Sequence, residues 1–159
     1  MRLAPALFVV VCACGTEPTR SEPDASMSPS TASDARIDAA MLTICEQAAQ
    51  HSDLTWIQDN VFSASCALSR CHAEDNQAGG LVLATGMSRD YLVNRPSTVQ
   101  SGWMRVVPGD PAHSYLLVAV GGEPGTPPEG SVMPWGGLPM LCSQELDALQ
   151  RWVAAGANP

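Results

Sequence analysis

Apolar residues recur at helical spacing in several short stretches of this chain, separated by long segments rich in glycine, proline and small polar residues. Ile37, Met41, Ile44, Cys45 and Ala48 form one stripe, which predicts a helix over roughly residues 37–51. A second short helix is expected over 54–63, with Trp56, Ile57 and either Val61 or Phe62 inward, leading directly into Cys66. Ala78-Gly79-Gly80 opens a loop, and Leu81-Val82-Leu83 reads as a short extended run. Ser88 can cap a brief helix through Leu92 or Val93. Asp110-Pro111 is a stronger start: the aspartate accepts backbone N–H bonds as N-cap, and proline sits where its missing donor does no harm. That helix carries Tyr115, Leu116 and Val120 and stops at Gly121-Gly122. From Gly121 to Pro139 the chain is too restricted for a helix and too broken for a strand. A last helix begins at Ser143, its cap, buries Leu146, Leu149, Trp152 and Val153, and ends at Gly156.

Ahead of these elements lie two segments of a different kind. Met1-Arg2 and the apolar run Leu3–Ala13 have the order of a secretory signal, and the run is too short to span a bilayer. It ends in Val11-Cys12-Ala13-Cys14-Gly15, which resembles a bacterial lipobox with Cys14 as the lipidated residue. A simple signal cleaved after Ala13 is the plainer reading. Residues 14–36 are Ser, Thr, Pro, Asp and Ala with little to bury, and are expected to be a disordered tether. About twenty such residues reach roughly 25 Å. The folded part is then one small domain, residues 37–159.

Charge narrows the partners. The formal net charge is −8, and loss of residues 1–13 removes only Arg2, leaving −9. All eight basic residues are arginines. Such a chain does not bind nucleic acid non-specifically, because nothing neutralises phosphate. A lysine ring for docking acidic redox proteins is missing too. Nothing in the sequence indicates oligomerisation, so a monomer is expected.

Cysteine carries the chemistry. Cys66-Ala-Leu-Ser-Arg-Cys71-His72 sets two thiols ahead of a histidine, the order used for covalent haem attachment. Two residues usually separate the cysteines, and four do here. An exported chain with such thiols could instead bridge Cys66 to Cys71 and leave His72 at the surface. A zinc site from Cys66, Cys71 and His72 lacks an obvious fourth ligand. A Cys71–His72 catalytic pair is disfavoured, since adjacent residues rarely present both side chains to one reacting atom. If haem takes Cys66 and Cys71, then Cys45 and Cys142 are left as a pair, although four cysteines allow three connectivities.

The order of motifs resembles the small cytochrome c-like domains of exported bacterial lipoproteins, of the kind found in myxobacteria. The resemblance spans about residues 55–159. It rests on Val61-Phe62, Cys66 to His72, Gly79-Gly80-Leu81, Pro108 to Pro111, Ser114-Tyr115-Leu116, Met133-Pro134 and the closing stretch Leu149–Ala157. It implies a mainly α fold of short helices joined by long Gly/Pro-rich loops. It also implies one covalent haem c held by Cys66 and Cys71, with His72 and Met133 as the iron ligands and Pro134 stiffening the methionine loop. Met140 competes for that role; Met104 and Met87 are weaker candidates. Trp135 could wall the haem edge. The expected function is single-electron transfer, not catalysis, by a protein lipid-anchored to the outer membrane and facing the periplasm. The alternative is a haem-free, disulfide-stabilised structural or binding module.

Overall fold

The first helix and the last are fastened to each other at three points. In the computed structural model, which describes residues 43–122, 125 and 131–159, helix α1 is seen over 43–48 and helix α5 over Ser143–Ala154. Cys45 on α1 and Cys142 at the start of α5 form a disulfide, their Cα atoms 6.2 Å apart. Arg151, two turns along α5, donates through Nη2 to the carbonyls of Ala48 at 2.8 Å and His51 at 2.8 Å, with a longer contact to Ala49. Carbonyls at a helix C-terminus lack intrahelical partners, and here a cation satisfies them. The signal sequence, Cys14, the tether, Ile37 and Met41 lie outside the described residues. Among those described, no helix is long and apolar enough to cross a membrane.

Helix α2, Leu54–Ile57, starts at Asp53, whose carboxylate accepts from the Trp56 N–H at 2.8 Å. It does not end at Ser63 as the periodicity suggested. It widens into a π-helix, Gln58–Cys66, seen in the bond from Ala67 N–H to the Phe62 carbonyl at 2.7 Å, five residues back. The periodicity suggested that only one of Val61 and Phe62 faces the core. The wider turn buries both, along with Ile57. It also keeps Cys66 on the inner side, its thiol against the Val61 carbonyl at 3.7 Å.

Beyond Cys71 comes a hairpin absent from the sequence expectations: β1, His72–Ala73, pairs antiparallel with β2, Asn76–Gln77. Gly79 and Gly80 follow with φ of 62° and 66°, a left-handed turn that side chains resist. Leu81 is extended, and the Leu83 N–H donates back to the His72 carbonyl at 2.8 Å. Three short helices remain before α5: α3 at Ser88–Leu92, a 3₁₀ turn at Pro111–His113, and α4 at Tyr115–Ala119.

Three expected caps act otherwise. Ser88 is the first residue of α3 and is buried, its hydroxyl donating to Gln58 Oε1 at 2.6 Å. Gln58 in turn donates to the Leu83 carbonyl at 2.9 Å, so this polar chain ties the π-helix to the segment after the hairpin. Asp110 makes no cap bond; its carboxylate meets His113 Nδ1 at 2.7 Å, and only a 3₁₀ turn forms before Ser114. Cys142, not Ser143, caps α5, and its N–H donates to the Glu145 carboxylate at 2.8 Å.

The core lies where α5 meets the rest. Ala148, Leu149, Trp152 and Val153 of α5 join Ile57, Phe62, Leu92 and Leu117 in one cluster. Burying side chains of this size stabilises by about 1.5–3 kcal/mol each. The fold is mainly α, with short helices and long loops, as expected.

Candidate functional site

The thiol pair and the histidine stand on two supports. Cys66 ends the π-helix, whose register is fixed by Val61 and Phe62 in the core. Cys71 and His72 enter the hairpin, held from both sides: the Ala78 N–H donates to the Cys71 carbonyl at 3.1 Å and the Leu83 N–H to that of His72. The Met133 N–H donates to the Ala119 carbonyl at 2.7 Å, which ties its loop to the end of α4.

All four of these side chains line one cavity of about 340 Å³. Leu81, Leu83, Leu92, Leu116 and Val120 are among the apolar residues of its wall. The size falls at the low end of the range for small-molecule sites, about 300–1,000 Å³. A second cavity, about 410 Å³, is lined by Leu54, Gln58, Arg89 and Pro159 among others and gathers no cysteine or histidine. Of the candidate methionines, Met133 lines the first cavity, while Met87, Met104 and Met140 do not. Met140 lies half exposed near Gly121. Trp135 also belongs to the cavity wall, yet 71% of it is open to solvent.

Cys66 and Cys71 are separate thiols. Burial, with smaller contributions from Cys71 and Glu145, pushes the Cys66 pKa up to about 12, so it stays a neutral thiol at ordinary pH. Burial also lowers the His72 pKa, helped by the Arg105 charge and opposed by the Leu81 and Ala78 carbonyls. The imidazole is therefore neutral near pH 7, the form that binds metals. Its Nδ1 is buried with no hydrogen-bond partner among the described residues.

These groups surround a space and do not converge on a point. Among the described residues, Cys45, Cys142 and Glu145 are the one trio of cysteine, histidine or acid whose ligand atoms lie within 4.8 Å of one another. Two of those sulfurs are bonded to each other. Cys66, Cys71 and His72 thus do not form the tight tetrahedral grouping that a zinc ion requires.

No protein-family model, characterised protein or solved structure matches this chain. The site is therefore read from its own residues. The sequence pointed to Cys66, Cys71, His72 and Met133, and the fold brings all four to one cavity. It gave no hint of Arg105, which also lines the cavity and donates to the carbonyls of Tyr91, Gly79 and Gly80 at 2.8, 2.9 and 3.1 Å. Those partners lie 14 to 26 residues away, beyond any local pattern.

Proposed function

We propose that this chain is an exported, lipid-anchored carrier of single electrons holding one covalent haem c. The observation that carries the reading is the meeting of two free thiols, a half-buried imidazole and a thioether at one largely apolar cavity. The residues present fit the group. Cys66 and Cys71 would hold it by thioether bonds, and His72 and Met133 would be the iron ligands. When bound, the haem would supply a one-electron couple, and ligation by a thioether and an imidazole would favour its ferrous state and a raised potential.

The protein's own contribution is positioning and an apolar setting. The hairpin bonds fix the backbone of Cys71 and His72, and lowered basicity keeps the imidazole free to coordinate. The link from Met133 to Ala119 restrains the opposite side. Leu81, Leu83, Leu92 and Leu116 would give a bound group an apolar surround. Trp135 and Val99, both lining residues and both more than half exposed, mark the rim where a redox partner would approach. The lipobox-like stretch ending at Cys14 and the tether of 14–36 would hold the domain at the outer membrane, facing the periplasm.

The competing reading, a haem-free disulfide-stapled module, draws on the Cys45–Cys142 bridge. It requires Cys66 and Cys71 to join as well, and they stand apart as thiols beside an open cavity. The test is the visible spectrum and intact mass of the full chain exported to a periplasm equipped for haem attachment. Sharp reduced-state bands and the added mass of one haem are expected. A colourless product lighter by four hydrogens than the processed chain with its thiols reduced would replace the electron carrier with the module.

A further inference from the structure

The cavity wall is charged in one sense only. Acidic residues outnumber basic ones sixteen to eight in the chain, yet the described residues of the wall include Arg70 and Arg105 and no Asp or Glu. Arg105 is half-buried and braces the Gly79–Gly80 turn through its three carbonyl contacts. A guanidinium has five N–H donors, so the Nε–H and one Nη1–H are left over. Among the described residues the ion pairs join His51 to Asp53 and His113 to Asp110, and neither involves Arg105. Burial and the nearby Arg95 charge both press its pKa downward, the mark of a cation in need of an anion.

Tyr115 adds a second unmet donor. It lines the same cavity and is 6% exposed, and its hydroxyl is buried with no hydrogen-bond partner among the described residues. A buried hydroxyl without a partner costs about 1–3 kcal/mol. An otherwise apolar wall thus carries an unpaired cation and a hydroxyl in need of an acceptor.

We propose that the cavity selects an apolar ligand bearing carboxylate groups, with Arg105 as the residue that takes the carboxylate and Tyr115 as a supporting donor. The inference rests on the cofactor reading for the identity of the ligand, since the carboxylates are then those of the haem's own side chains. Its basis in charge is independent of iron and of the thioether bonds.

The experiment uses the full chain made without haem-attachment machinery. Fluorescence titration compares iron-free protoporphyrin IX with its dimethyl ester, which has the same apolar body and no charge. The diacid should bind the native chain about tenfold tighter or more. Arg105→Met should abolish that preference, lowering the diacid affinity about tenfold more than the diester affinity, so that loosening of the Gly79–Gly80 turn, which both porphyrins feel alike, is separated from loss of the charge. Arg105→Lys, which keeps the charge but not the forked geometry, should retain part of the preference. Equal binding of both porphyrins to the native chain, or a preference that persists in Arg105→Met, overturns the proposal and leaves the cofactor reading standing. If neither porphyrin binds, the cofactor reading fails, and two dyes decide the charge claim. Retention of anionic anilinonaphthalenesulfonate over neutral Nile red that disappears in Arg105→Met upholds it. Retention that ignores Arg105 overturns it.

Discussion

Around the Cys45–Cys142 bridge the structure completes itself, whereas around the cavity it does not. Where α1 meets α5, the carbonyls that α1 leaves open are taken by Arg151, the start of α5 is capped through Glu145, and the two helices are joined covalently. Around the cavity, among the described residues, His72 Nδ1 and the Tyr115 hydroxyl are buried without hydrogen-bond partners, Cys66 and Cys71 form no disulfide, and Trp135 is largely exposed. Buried polar groups are nearly always satisfied in folded proteins. The first region is complete in itself, whereas the second has the unmet groups on which the proposed ligand reading rests.

The widest separation between the two ends should come from His72. His72→Ala is expected to abolish the sharp reduced-state bands of the haem-loaded protein while its far-ultraviolet circular dichroism stays native, because no core residue is disturbed. Simultaneous unfolding would erase the distinction between the ends. The converse change is Cys45→Ser with Cys142→Ser. The bridge spans 97 residues, a loop for which chain-entropy reasoning gives about 4–5 kcal/mol. Denaturant unfolding should register a loss of that order, and the haem spectrum below the transition should be unchanged.

Smaller effects sharpen the contrast. Tyr115→Phe removes the buried hydroxyl and should raise the stability of the haem-free protein by about 1 kcal/mol or slightly more, read from denaturant midpoints. In the loaded protein the gain should vanish. A hydroxyl satisfied without ligand would make the same substitution destabilising in both forms. At the self-completing end, Asp53→Ala should cost about 1 kcal/mol through loss of the α2 cap. The Asp53 carboxyl is held below its usual pKa chiefly by the Trp56 N–H, with His51 assisting. A depressed folded pKa means a contribution present above the unfolded value near 3.8 and lost as pH falls through the folded one. The difference between native and Asp53→Ala midpoints should therefore shrink on acidification below about pH 4.

These contrasts also explain what the sequence made visible. The buried faces of α2 and α5, and Ile44, Cys45 and Ala48 in the described part of α1, could be read because one side of each helix meets the core and leaves a periodic trace. Cys66, Cys71, His72 and Met133 could be read because their types and order are unusual. The π-helix could not: Gln58–Cys66 has no composition that separates it from an α-helix, and its register is set by Val61 and Phe62 both entering the core. The caps assigned to Ser88, Asp110 and Ser143 were displaced by distant or competing partners, since Gln58 lies 30 residues from Ser88 and the disulfide sets the start of α5. Arg105 was invisible for the same reason, and Tyr115 was read only as a position on its helix, because the surroundings of the guanidinium and of the hydroxyl are assembled only by the fold.

Covalent attachment at both Cys66 and Cys71 can be read directly from a peptide map. Trypsin cleaves after Arg36, Arg70 and Arg89, which places Cys66 on the fragment 37–70 and Cys71 with His72 on the fragment 71–89. After full reduction of the haem-loaded preparation, the account predicts these two fragments still joined, as a single species carrying one haem. Two separate, haem-free fragments after reduction would contradict it.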